Sequence, residues 1–239
     1  MNLGAQVAQR LREMILRRDL HDGERMLEEN LAAQFSVSRG PIRDAFKQLE
    51  REGLVRVEKR GVHVVGLSAE DIGHLYDLRK ALEQLAITEA VKRAPDSEFA
   101  AMTECVELMR AAAVADDHHA FAAADVRFHS QLFASSGNRR LSDVWHQYLP
   151  ILATILQSTV GQEQHLHDSA EDHHTLLRLI TSADPTAADE ASNHIDRSRD
   201  RMIEAYQRLS SPASAQPTAQ HTAPSIAPSV AMNHRRDTQ

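Results

Sequence analysis

The run EENLAAQFSVSRGPIRDAFKQLEREGLVRVEKRGVHVV, residues 28–65, admits few folds. Leu31, Ala32 and Phe35 recur at helical spacing, a tight FSVS turn follows, and Ile42, Ala45, Phe46 and Leu49 mark the inner face of a second helix. Two short strands are expected near 54–58 and 62–66, joined by EKRG, where Gly61 is free to take a positive φ. That order is a helix-turn-helix with a two-stranded wing behind it. Ser38 stands where it can cap the second helix, and Pro41 falls in the first turn, where a missing N–H does little harm. Arg39, Arg43 and Lys47 are four apart, on a face separate from the apolar one. From there an arginine can fork onto guanine O6 and N7 in the major groove or clamp a phosphate. A merely solvated basic face is the alternative for the arginines alone; the turn, the cap and the strand entry beside them favour a reader of double-stranded DNA.

Charge divides the chain in the same place. Residues 1–68 hold 12 Lys/Arg against 10 Asp/Glu, whereas the remainder holds 15 against 24. A mildly basic first part joined to an acidic second part predicts two domains with different partners. At 239 residues, 42% hydrophobic and 26% charged, the chain has the composition of an ordinary soluble protein. Its one cysteine, Cys105, excludes an internal disulfide framework and fits a reducing compartment. The opening MNLGAQVAQRLREMILRRDL is charged throughout, without the apolar centre of a secretory signal. The run around YLPILATIL is far too short for a membrane span. A cytoplasmic location without a membrane partner is therefore expected.

From Ser68 onward the pattern is helical. SAED at 68–71 reads as a capping box, and helices are expected at about 69–92, 97–115, 118–135, 139–159, 169–182 and 185–209. The end, from 210 to 239, holds four of the eight prolines and almost no large apolar residue, so it is expected to be disordered. Within the helical part, DVRFHSQLF poses a problem. Phe121, Phe128 and Leu132 define a buried stripe, and Asp125 and His129 fall on that stripe, one turn apart. A buried carboxylate is costly unless it is paired or bound to a metal.

VSRGPIRDAFKQLEREGLV closely resembles the winged helix-turn-helix of the GntR family, from about Gln6 to Gly66. The resemblance implies DNA contacts from Ser38, Arg39 and Arg43, with the wing turn at Lys59, Arg60 and Gly61 approaching the minor groove or its phosphates. Two departures stand out: Gly40 replaces a usual threonine, and Glu29 stands where many relatives carry arginine. LYDLRKALEQLA, DVRFHSQLFASSGN, EDHHTLLRLI and EASNHID resemble the FCD effector domain of the FadR-like subgroup, over about residues 69–209. The fold implied is mainly α: a winged helix-turn-helix domain (1–67), an all-α antiparallel bundle for effector binding and dimerisation (68–209), and the tail (210–239).

In that family an aspartate and three histidines on separate helices often bind a divalent metal. Helix phase tests the candidates. His173 shares a face with Leu176, Leu177 and Ile180, whereas His174 aligns with Arg178 and Thr181 and faces outward. His194 lies on a stripe with Ala187, Ala191, Ile195 and Met202. Asp125, His129, His173 and His194 are thus the expected ligands, for zinc first, with nickel or manganese suited to the same set. Apart from His174, the other ten histidines read as surface residues. Family resemblance also implies a small carboxylic-acid effector, with Arg79 beside it; a helix-surface ion pair with Glu83 is the alternative for Arg79. The reading is a homodimeric, ligand-responsive transcriptional regulator, a repressor by the commoner family mode, and not an enzyme. Two rivals stay open: a regulator whose signal is the metal itself, and a metal-dependent hydrolase with an accessory winged helix. No H-E-x-x-H motif supports the second.

Overall fold

The computed structural model describes residues 2–59, 61–93, 96–159 and 165–210. Arg60, and the expected disordered tail from Ser211 on, lie outside the described residues. The N-terminal part consists of α1 (Leu3–Leu16), β1 (Arg25–Met26), α2 (Glu28–Gln34), α3 (Arg39–Arg51), β2 (Val55–Glu58) and β3 (Gly61–Val64). Asn2 opens α1 by accepting a hydrogen bond from the Ala5 N–H at 2.8 Å. Val7, Ala8, Leu11 and Ile15 form one stripe of that helix, packed against Ile42, Ala45, Phe46 and Leu49 of α3. Each large aliphatic side chain so buried contributes about 1.5–3 kcal/mol.

The strands pair antiparallel in the order β1-β3-β2, with Val55 opposite Val64 and Glu58 opposite Gly61. Gly61 has φ +132°, a backbone conformation that L side chains rarely adopt, so the turn of the wing calls for glycine. The wing is thus three-stranded, since β1, two residues long, adds Arg25 opposite His63. Ser38 departs from expectation. It occupies the N-cap of α3 in an extended conformation, but its side chain makes no capping hydrogen bond.

Six helices follow: α4 (Ala69–Arg93), α5 (Asp96–Val114), α6 (His118–Ser135), α7 (Arg139–Thr159), α8 (Leu166–Thr181) and α9 (Ala187–Ser210). The capping box at the head of α4 is formed: Ser68 Oγ accepts from the Asp71 N–H at 3.1 Å, and Asp71 Oδ2 accepts from the Ser68 N–H at 2.9 Å. α4 packs on α9 and α6, α5 on α6 and α8, and α6 on α7. No helix among the described residues is long and apolar enough to cross a membrane.

The two parts are joined by more than the short linker. α1 packs against α7, where Gln9 Nε2 donates to Thr154 Oγ1 at 3.2 Å and Thr154 Oγ1 donates to the Pro150 carbonyl at 2.7 Å. Pro150 lies inside α7 and cannot supply the N–H that its turn would use. From α9, the Tyr206 hydroxyl donates to the Leu67 carbonyl at 2.7 Å. Behind the first junction sits an ion pair that the sequence reading did not single out. Arg12 is 1% exposed and grips Glu52, at the C-cap of α3, through Nε and Nη2, both at 2.7 Å. Removing one partner of such a pair leaves the other charge buried and costs about 3–5 kcal/mol. Arg12→Met is therefore expected to lower the thermal midpoint sharply. Arg10→Met, which loses only a half-exposed pair with Glu13, should change stability by less than about 1 kcal/mol; equal midpoints for the two variants would contradict the assignment.

Candidate metal centre and nucleic-acid interface

Four helices bring titratable side chains to one buried point. Asp125 and His129 come from α6, His173 from α8, His194 from α9, and Arg79 and Glu83 from α4. All three histidines are at most 1% exposed, and Asp125 is 9% exposed. One nitrogen from each imidazole lies within 4.8 Å of the others. His173 Nε2 stands 3.2 Å from His129 Nε2 and 3.1 Å from Asp125 Oδ1. Phe128 meets both of these imidazoles edge-on, with centroids 5.3 and 5.0 Å away, and packs them from one side.

Hydrogen bonds outside the cluster determine what faces inward. His173 Nδ1 lies 2.7 Å from the Ser169 carbonyl, and His129 Nδ1 lies 3.0 Å from Glu83 Oε2. Carbonyl and carboxylate oxygens only accept, so each Nδ1 carries a proton, and in a neutral imidazole the Nε2 lone pair then points into the cluster. Two such lone pairs and an ionised carboxylate cannot approach to about 3 Å with nothing positive among them. A proton on His173 Nε2 turns its contact with Asp125 into a hydrogen bond; a divalent cation satisfies all the donors at once. Donors bound to one first-row ion at about 2.0–2.1 Å stand roughly 3 Å apart, which is the spacing of the closest atoms here. His194 supplies an independent indication. Among the described residues neither of its ring nitrogens has a hydrogen-bond partner, although both are buried. The residues present therefore fit a divalent metal.

The electrostatics agree. Burial holds His129 and His194 below the ordinary imidazole value, with the Arg79 charge adding to the effect on both. Burial alone would raise Glu83, but His129 and Arg79 outweigh it and hold the carboxyl at about 2. Asp125 is likewise kept well below the usual carboxylate range: burial opposes ionisation, and His173, His129 and Arg79 override it. Burial works against the Arg79 charge, but Glu83, Tyr76 and Asp125 together outweigh it, and Arg79 is raised.

The expected ion pair of Arg79 with Glu83 is present, Nε to Oε1 at 2.7 Å, but it is not on the helix surface; Arg79 is 6% exposed and Glu83 fully enclosed. Sequence reasoning had Glu83 only as a surface partner for Arg79; its burial and its contact with His129 are what it missed. A signal existed, for Ile72, Tyr76, Arg79, Glu83, Ile87 and Ala90 form one buried stripe of α4. His174 faces outward as expected, near Glu171. Of the histidines taken as surface residues, His63 and His118 are half-buried, each with an enclosed Nδ1.

On the other domain, Ser38, Arg39, Arg43, Lys47 and Lys59 are exposed. Acidic neighbours hold the basic row: Arg39 pairs with Glu29, Arg43 Nε contacts both oxygens of Glu28 at 3.0 and 2.9 Å, and Lys47 lies 3.4 Å from Asp44. A Cβ at Gly40 would meet only Ser38 Oγ, at 3.9 Å, so packing does not require glycine there.

Comparison with known proteins covers both parts. Residues 3–65 match the bacterial regulatory proteins of the gntR family, and residues 74–197 match the FCD domain. The gluconate operon transcriptional repressor of Bacillus licheniformis is 29% identical over 174 residues, 73% of this chain and 71% of that protein. A probable D-xylose utilization operon transcriptional repressor of Paenarthrobacter nicotinovorans is 30% identical over 179 residues, 72% of this chain and 76% of its own length. Among solved structures, E. coli McbR/YncC superposes with a TM-score of 0.66 over 88% of this chain and 100% of that one, at 19% identity, a likeness of fold.

The two adjacent histidines of α8 provide a test. His173→Ala should abolish or strongly reduce zinc content after dialysis against limiting metal, and His174→Ala should leave it unchanged. Elemental analysis of the purified variants reads the difference, and a reversed order would place the centre elsewhere.

Proposed function

Because the chain belongs to the gntR family of bacterial regulatory proteins and carries an FCD domain, we propose that it is a transcriptional repressor acting as a cytoplasmic homodimer, whose helical domain binds a divalent metal and a small carboxylic acid. The observation that carries this reading is the convergence of three enclosed imidazoles and Asp125 behind a DNA reader. Asp125, His129, His173 and His194 would hold the ion, zinc before nickel or manganese. When bound, the metal supplies a Lewis-acidic anchor for an anionic oxygen. Arg79, near enough to Asp125 for their charges to interact, supplies a second positive group for the same acid. The gluconate operon repressor of Bacillus licheniformis takes its name from a compound that is itself a carboxylate, which supports the class.

On the DNA side, Ser38, Arg39, Arg43 and Lys47 present the exposed face of α3, and Lys59 and Gly61 belong to the wing turn. A single helix-turn-helix reads only a few base pairs, and pairing two readers on a two-fold operator multiplies that discrimination. Direct packing of α1 on α7 gives occupancy of the helical domain a physical route to the reader. Coupling of this kind is typically about 1–3 kcal/mol.

Operator duplexes selected by the protein from a random library serve as the probe. Zinc-loaded protein should release the selected duplex as gluconate or another small carboxylic acid is added, followed by fluorescence anisotropy. Indifference to every acid, alongside a response to zinc alone, would identify a metal sensor instead. On the same duplex Arg43→Ala is expected to cost about 1–3 kcal/mol of binding and to relax specificity at one base pair. Unchanged affinity would remove Arg43 from the reading face.

A further inference from the structure

Taking the buried cluster as a metal centre, we propose that Glu83 is a positioning residue that makes His129 a ligand, and that Arg79 holds Glu83 in the orientation this requires. Glu83 is fully enclosed, and its two oxygens face two different donors: Oε1 accepts from Arg79 Nε–H at 2.7 Å, and Oε2 accepts from His129 Nδ1–H at 3.0 Å. The three imidazoles are not oriented alike. His173 is fixed by a backbone carbonyl, His129 by a carboxylate on another helix, and His194 by no hydrogen bond among the described residues. Of these imidazoles, His129 is the one whose Nδ1 proton is held by a replaceable side chain. The carboxylate keeps the proton on Nδ1, so the Nε2 lone pair faces His173 Nε2 and Asp125. It also raises the donor strength of that lone pair, as outer-shell carboxylates do for ligating histidines.

Arg79 enters because a glutamate satisfies two donors at once and a glutamine cannot. In Glu83→Gln the amide has one oxygen and one NH₂ for two partners that both donate. The charged guanidinium makes the stronger hydrogen bond and retains the oxygen. The NH₂ then faces His129 Nδ1, which can accept only after its proton has moved to Nε2. That proton points into the cluster and occupies the electron pair a metal would use. Replacing Arg79 as well removes the competitor, and the amide can turn its oxygen to His129.

Zinc affinity, measured by competition with a chromophoric chelator, should fall about 10–100-fold in Glu83→Gln. The double variant Arg79→Met/Glu83→Gln should recover at least about tenfold of that loss, with Arg79→Met alone as the reference. A merely structural role for Glu83 predicts no such recovery, since the second substitution removes a further buried group. Imidazole ¹⁵N spectra of the metal-free proteins give the second readout. His129 should carry its proton on Nδ1 in the wild type, on Nε2 in Glu83→Gln, and on Nδ1 again in the double variant. Wild-type affinity in Glu83→Gln, an unchanged His129 tautomer, or a double variant no better than the single would overturn the proposal. Failure of the wild-type protein to take up zinc would instead sink the metal centre, and the spectra, which need no metal, would still decide whether Glu83 sets His129.

Discussion

Ionised groups inside a helical bundle are tolerable only where each meets a charge or a donor of the opposite kind. Here Arg79, Glu83, His129, Asp125 and His173 meet that requirement in sequence, from α4 to α6 to α8. Apolar packing alone would let these helices slide by a fraction of a turn at modest cost. The charged line does not, because a shift of one residue in α4 would carry Glu83, together with its partner Arg79, away from His129. His194, from α9, closes the cluster with no hydrogen-bond partner among the described residues, so it is the group with most to gain from an ion.

The second enclosed ion pair has a different part in the molecule. Arg12 and Glu52 tie the first helix to the end of the recognition helix, so α3 is held at its C-terminus while its N-terminal arginines stand in solvent. Those arginines are met by Glu28 and Glu29 of α2. Exposed pairs of this sort contribute little stability, and a DNA phosphate or guanine edge can displace them. One end of the helix is thereby fixed and the other is exchangeable, a division suited to reading.

Periodicity made most of this arrangement legible. The long helices and the winged reader emerge from apolar spacing; the family resemblance supplied the four expected ligands, and helix phase places each on an inward stripe and separates His173 from His174. What escaped has specific physical reasons. β1 is two residues, too short to display a period of two, and exists because Arg25 and Met26 add to the free edge of β3. Ser38 sits at the N-cap position without using its hydroxyl there, since cap residue type states an option and not a geometry. Arg12 and Glu83 lie on apolar stripes just as Asp125 does. A charge on a stripe marks burial, but the sequence cannot show which distant charge will meet it: Glu52 is 40 positions from Arg12, and His129 is 46 from Glu83. The family resemblance supplied partners for Asp125 and was silent on those two.

The length of α4 has a mechanical meaning. The helix starts at Ala69, immediately after its capping serine, and Glu83 lies fourteen residues further on, about 21 Å along the axis at 1.5 Å per residue. With Glu83 as fulcrum, each degree of tilt displaces the reader end of the helix by roughly 0.4 Å. A tilt of a few degrees about that point is thus a displacement of about one bond length where the chain leaves the wing. In a two-fold dimer, opposite displacements of two readers change the span between them by twice that amount. A helix tilting about that buried carboxylate would act as a lever arm for the reader.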